Sequence, residues 1–192
     1  MGECLMQTVS NAIEFGQLIL ERVLPTARTV VDATAGNGSD TLFLAQRMSA
    51  EARLYAFDIQ PLAIAATRQK TKDYADRITY LLDSHENIPA EVPGEIDAAV
   101  FNLGYLPGTD HRVTTEAEIT LKAVQGVLQK LRVNGVLVIV VYPGHPAGQE
   151  EKKSLEEYFR LLSPREFTVG CYTMMNHTED APFSYLIEKV RG

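Results

Sequence analysis

Residues 136–142 read VLVIVVY, an unbroken apolar run that is mostly β-branched. A strand of this kind has no polar face, so both of its faces must be covered. The usual solution is a parallel sheet with helices on each side. The run is far too short to cross a bilayer, which takes about 20 apolar residues in a helix. The feature therefore demands partner strands and two layers of helix from the remainder of the chain.

The rest of the sequence supplies them in alternation. Residues 7–23 carry apolar side chains at helical spacing, and Pro25 is the expected stop. TVVDAT (29–34) reads as the first strand and SDTLFLAQRM (39–48) as a helix capped by Ser39 or Asp40. ARLYAFD (52–58) is a strand, and residues 61–74 form a helix with Pro61 in its first turn. RITYLL (77–82) and EIDAAVFN (95–102) are further strands. Residues 114–131 read as a long amphipathic helix, with Asn134-Gly135 as its stop and turn. After VLVIVVY come a helix at 149–162 and two segments, 165–174 and 182–190, that read as a closing antiparallel pair. The fold class is α/β: a doubly wound, mostly parallel seven-stranded sheet with an antiparallel C-terminal hairpin. Residues 1–192 are expected to form one domain.

Ligands of such sheets lie beyond the carboxyl ends of the strands. In VVDATAGNGSDT (30–41) a strand runs through Gly36-Asn37-Gly38 straight into a helix. Glycine lets backbone approach a ligand closely. Thr41 stands where a dinucleotide fingerprint needs its third glycine, and no Lys-Ser or Lys-Thr follows as in a P-loop. The plainer alternative is a tight strand–helix turn. Asp58 ends the second strand in AFDIQ, twenty residues after Gly38, where a carboxylate accepts from ribose hydroxyls. It could also cap the helix that begins at Pro61. Asp83, Ser84 and His85 end the third strand, where an adenine would lie, although Asp83 and Ser84 also suit helix capping.

The fourth strand ends in FNLGYLPGTD (101–110). Asn102-Leu103-Gly104-Tyr105 resembles the Asn-Pro-Pro-Tyr loop of methyltransferases that act on amino nitrogens. There a carboxamide oxygen and a backbone carbonyl accept the target's N–H groups, aiming the nitrogen lone pair, while the aromatic ring stacks on a base. The alternative is an Asn at a strand end and a Tyr in the core. Tyr142 and His145 leave the fifth strand beside this loop as candidate substrate contacts, and His111 and Arg112 could meet a phosphate.

Taken together, VDATAGNGSDTLFLA, FDIQ, HEN, FNLGYLPG and the Tyr-x-Gly-His segment resemble one group of class I S-adenosylmethionine-dependent methyltransferases. That group, long labelled "putative rRNA methylase", resembles the MnmM enzymes, tRNA 5-aminomethyl-2-thiouridine methyltransferases acting at wobble position 34. The resemblance covers residues 7–190. It implies S-adenosyl-L-methionine as cofactor, held by the segment containing Asp32, Gly36, Asn37, Gly38, Asp40 and Thr41. Asp58 would take the ribose, Gln60 would flank the adenosine, Asp83, Ser84 and His85 would lie by the adenine, and Asn102 would sit near the sulfonium methyl. Asn102, Tyr105 and Asp110 are the implied catalytic residues. Leu103, Gly104, Tyr105, His111, Arg112, Tyr142 and His145 are the implied substrate contacts. Two departures touch the rim: Pro-Gly-Thr-Asp where Pro-Gly-Gly-Asp is expected, and Pro143 where histidine is common.

The implied reaction requires a neutral amine, so the site must favour loss of a proton, with Asp110 or His145 as the acceptor. No metal ligands cluster in the sequence. The net charge of −7 disfavours broad electrostatic binding to long nucleic acid. Recognition of the tRNA anticodon loop would then rest on stacking a splayed base, with Arg22, Arg28, His111 and Arg112 as backbone contacts. A homodimer would widen that surface. Cys4 and Cys171 form no C-x-x-C pair, and no basic-then-apolar leader is visible, so a cytoplasmic protein with no membrane association is expected. Three readings compete: a methyltransferase acting on rRNA or a small amine, a non-catalytic adenosine-ligand module, and an NAD oxidoreductase.

Overall fold

The computed structural model describes residues 11–103 and 116–192. Its seven strands are β1 (Thr29–Asp32), β2 (Arg53–Asp58), β3 (Ile78–Leu82), β4 (Ile96–Asn102), β5 (Leu131–Val141), β6 (Phe167–Tyr172) and β7 (Phe183–Lys189). They lie in one sheet in the order β3-β2-β1-β4-β5-β7-β6. β1 to β5 pair in parallel, while β7 runs antiparallel between β5 and β6. The expected doubly wound sheet and closing antiparallel pair are both present.

The helices are α1 (Ala12–Val23), α2 (Ser39–Arg47), α3 (Pro61–Lys70), the single turn α4 (Ile88–Glu91), α5 (Ala117–Lys130) and α6 (Pro146–Phe159). One core joins Leu20 of α1 and Leu44 of α2 to Val30, Leu54, Ala98 and Val138 on one face of the sheet. The other joins Ile88, Val124, Val127 and Leu155 from α4, α5 and α6 to Val31, Phe101, Leu137 and Ile139 on the opposite face. Neighbours 137 and 138 thus point into different cores, as a strand's alternation requires. That is the physical meaning of the unbroken apolar run.

Several boundaries differ from the sequence reading. Pro25 does not stop the chain abruptly; it sits inside a 3-10 turn, Leu24–Thr26, that extends α1. The helix after Pro61 ends at Lys70, and a second 3-10 stretch, Lys72–Arg77, carries the chain to β3. Asn134 is left-handed (φ 63°) but lies within β5, which starts at Leu131. The β4–β5 register shifts there, so the Asn-Gly pair forms an irregularity inside a strand instead of a separate turn. α6 begins at Pro146, three residues earlier than read, because His145 caps it: the Gly148 N–H donates to His145 Nδ1 at 3.1 Å.

This helix start packs hard on the end of β5. A Cβ on Gly148 would lie 2.0 Å from the Tyr142 carbonyl oxygen, which is backbone and cannot swing aside. Gly148→Ala is therefore expected to destabilise the protein by about 3 kcal/mol, an overpacking cost. Urea unfolding measures it, and an unchanged midpoint would show that the two segments separate freely.

Candidate functional site

The sheet's connections change direction between β1 and β4. β1 leads to α2 on one face, and α5, the next described element after β4, lies on the other. The carboxyl ends of these two strands therefore border a crevice, the place where open α/β sheets hold ligands.

The β1 end is fixed to both neighbours. Ala33 N–H donates to Val100 O at 2.9 Å and Ala35 N–H to Phe57 O at 2.8 Å. The chain then turns through two left-handed glycines, Gly36 (φ 53°) and Gly38 (φ 80°). Gly38 is required twice over: its φ disfavours a side chain, and a Cβ there would meet Thr67 Cα of α3 at 2.8 Å. Gly38 is also the N-cap of α2, which corrects the expectation that Ser39 or Asp40 caps it. The exposed Asn37 supplies the capping oxygen instead, accepting from Ser39 N–H at 3.1 Å and Ser39 Oγ at 2.7 Å. That is the arrangement of an Asx turn, and it commits the Asn37 carbonyl locally.

Asp58 meets this loop at the end of β2. Its Oδ2 accepts from Gly36 N–H and its Oδ1 from Gln60 N–H, each at 2.9 Å. A carboxylate has about four acceptor positions, so two remain for ribose hydroxyls. Gln60, not Asp58, occupies the N-cap position of α3 and makes no side-chain capping bond. At the end of β3, Asp83 Oδ1 accepts from Ser84 N–H (2.8 Å) and Asn87 Nδ2 (2.9 Å). Ser84 caps the 3-10 turn His85–Asn87 through Glu86 N–H. His85 is buried and edge-on to Phe101, with ring centroids 5.5 Å apart. Burial lowers its pKa, so the imidazole is neutral at physiological pH. Ile59 and Leu82, 57% and 56% exposed, flank Asp58 and Asp83 and form an apolar rim that the sequence reading missed. Its signal was present: apolar residues placed at strand ends, beyond the core.

Asn102 ends β4. Its backbone N–H donates to Thr34 Oγ1 at 2.7 Å, which fixes the strand end against the β1 loop. Its Nδ2 donates to Asp40 Oδ2 at 3.1 Å, and Asp40 Oδ1 accepts from Gln17 Nε2 of α1 at 3.3 Å. The half-buried Tyr142 lies beside this pair, and burial followed by the nearby Asp40 charge raises its pKa, so it stays a phenol. Neither Thr34 nor Gln17 was legible as a site residue. Each acts through a partner far away in sequence, and a lone Gln on a helix face carries no signal.

Three expected contacts take other positions. Asp32 and Thr41 are fully buried and bond to each other, Thr41 Oγ1 to Asp32 Oδ2 at 2.6 Å, so they brace the loop from beneath and present no surface to a ligand. Leu103 is 1% exposed and belongs to the core; its N–H continues the ladder to Val140 O at 2.9 Å. Gly104, Tyr105, Asp110, His111 and Arg112 lie outside the described residues. Among those described, no group of His, Cys, Asp and Glu could hold a metal ion. A wide cleft of about 600 Å³ lies at the opposite sheet edge, where Asp97 is already engaged by the Arg28 and Thr29 N–H groups and by Arg132.

Burial, then the neighbouring Asp40, pushes the Asp32 carboxyl from 3.8 up to about 7. Between those values the folded protein binds more protons at Asp32 than the unfolded chain does. Stability from this group is therefore greatest in acid and falls as pH rises through the window. Asp32→Asn is expected to raise the thermal midpoint at pH 8 relative to the parent and to narrow the difference at pH 5. Cofactor-free unfolding curves at the two values test this; a parallel offset at both would remove Asp32 from the linkage.

Comparisons with known proteins give the family and the fold. A family model described as "Putative rRNA methylase" matches residues 54–188. A chloroplastic tRNA (mnm(5)s(2)U34)-methyltransferase of Arabidopsis thaliana is 31% identical over 178 residues, 86% of this chain. The match spans 65% of that longer protein. A "putative rRNA-methylase" structure from Clostridium thermocellum superposes with a TM-score of 0.91 at 34% identity, covering 95% of this chain and all of the other. A "putative methyltransferase" from Streptococcus mutans, solved in complex with SAH, gives a TM-score of 0.85 at 35% identity, covering 94% and 99%.

Proposed function

Because the chain belongs to the family described as "Putative rRNA methylase", we propose that it is an S-adenosyl-L-methionine-dependent tRNA methyltransferase. Its target is the amino nitrogen of 5-aminomethyl-2-thiouridine at wobble position 34. The observation that carries the reading is the Asn102 carboxamide. It stands at the crevice between β1 and β4, with its N–H side turned to Asp40.

The residues present suit the cofactor. Two left-handed glycines, a half-exposed carboxylate at the end of β2, a second at the end of β3 and the apolar rim of Ile59 and Leu82 match a methionine chain, a ribose and an adenine. Asp40, Asp58 and Asp83 make this edge acidic, which suits a cationic sulfonium. When bound, the cofactor supplies an electrophilic methyl group on a cationic sulfur. The chain's part is placement. Asn102 Oδ1 accepts an N–H of the target amine and turns its lone pair toward the methyl carbon. The amine must lose a proton on the way, and desolvation in the crevice favours its neutral form. Asp110 and His145 are the candidate acceptors, and Tyr105 the stacking platform for the uracil ring. His145 Nδ1 already accepts the Gly148 N–H that starts α6.

The reading takes residues 1–192 as one methyltransferase domain working in the cytoplasm on the anticodon loop, with a homodimer widening the RNA contact. No helix among the described residues is long and apolar enough to cross a membrane. The Arabidopsis relative favours tRNA over rRNA as substrate. Nucleoside mass spectrometry of total tRNA from a deletion strain tests it. The unmethylated aminomethyl nucleoside should accumulate and disappear on complementation. An unchanged tRNA profile with a methyl group missing from rRNA would transfer the assignment to the ribosome.

A further inference from the structure

We propose that Asp40 sets the polarity of the Asn102 carboxamide, taking its N–H side so that the carbonyl is the face offered to the substrate. The inference rests on the proposed methyl transfer to an amine and adds a positioning residue to it. By sequence position Asp40 looks like part of the glycine loop and hence a cofactor contact. The structure directs both of its oxygens elsewhere, Oδ2 to Asn102 Nδ2 at 3.1 Å and Oδ1 to Gln17 Nε2 at 3.3 Å.

A carboxamide has a donor end and an acceptor end of nearly the same shape, so its backbone position alone does not decide which end faces a ligand. An ionised carboxylate decides it, because it only accepts. Were the amide to flip, Asn102 Oδ1 would face Asp40 Oδ2 oxygen to oxygen, and the site would offer the amine a donor where it needs an acceptor. Two further contacts hold the arrangement. The Asn102 backbone N–H is bonded to Thr34 Oγ1, and Gln17 reaches from α1 to stop Asp40 from rotating. α1 packs on the α2 face of the sheet and so takes part in catalysis at one remove.

The test is a double-mutant cycle on turnover at saturating cofactor and tRNA. Asp40→Asn, whose amide can donate to a flipped Asn102, is expected to cost about 100-fold in turnover, the scale of a misplaced reacting group. In an Asn102→Ala background the same change should matter by no more than about twofold, because the amide it orients is gone. Independent, multiplying losses would overturn the proposal. So would a large loss of S-adenosylmethionine affinity by calorimetry with turnover intact, which would make Asp40 a cofactor ligand. Gln17→Ala, a milder change away from the loop, should lower turnover about tenfold and leave cofactor affinity alone.

A readout free of substrate separates this idea from the assigned reaction. In ¹⁵N spectra the Asn102 side-chain N–H bonded to Asp40 should exchange slowly with solvent in the parent and fast in Asp40→Asn. Slow exchange in both overturns the proposal. Absence of methyl transfer by the parent protein would overturn the assigned reaction while leaving this measurement to be read on its own.

Discussion

Asn102→Ala is expected to lower turnover about 100- to 1,000-fold, the scale seen when one preorganised polar group is removed from a reacting centre. Cofactor affinity should change little, since the described hydrogen bonds of Asn102 run to Thr34 and Asp40. Folding should suffer only modestly. The backbone bond to Thr34 survives the substitution, and the one side-chain bond lost to Asp40 is worth about 1 kcal/mol. A single-turnover assay with saturating cofactor and tRNA, beside a titration calorimetry run, separates the two effects. Parent-like turnover in the variant would take Asn102 out of the chemistry and, with it, the reason for reading the β4 loop as a methyl-acceptor site.

The second large effect belongs to Asp58. Asp58→Ala removes the acceptor for both Gly36 and Gln60 N–H groups and, on the proposed reading, the ribose contact as well. The glycine turn would lose the bond that ties it to β2, and S-adenosylmethionine affinity is expected to fall about 100-fold, equivalent to about 2.8 kcal/mol. Turnover at saturating cofactor should fall much less, the opposite split from Asn102→Ala. Asp58→Glu offers a useful contrast: the charge remains, but its extra methylene cannot keep both 2.9 Å bonds at once. Calorimetry decides the matter, and parent-like affinity in Asp58→Ala would place the ribose elsewhere.

The plan of the sheet was legible because it follows from local rules. An apolar run must be covered on both faces, a proline opens a helix, and alternation of strands with amphipathic helices leaves few topologies. The boundaries that moved did so for both tertiary and local reasons. β5 starts at Leu131 because Ile96 pairs with it across the irregularity at Asn134. α6 starts at Pro146 because a histidine side chain caps it. The first condition lies 35 residues away in the chain and cannot be read from a window of neighbours; the second is local, but a histidine is an uncommon cap and gives a weak signal.

The site divides in the same way. The residue types at the strand ends, the two glycines, Asp58, Asp83 and Asn102, were fixed by order in the chain, since the topology delivers every such end to one edge. What those residues do there was decided by packing. Burial turned Asp32 and Thr41 into a brace and Leu103 into core, capping took up Asn37 and one nitrogen of His145, and Asp40 was drawn to Asn102 and Gln17. Sequence order specifies which groups reach the edge; hydrogen bonds, some local and some between residues tens of positions apart, specify which atom each turns outward, because a polar side chain settles toward the partner that the folded chain brings within hydrogen-bonding distance.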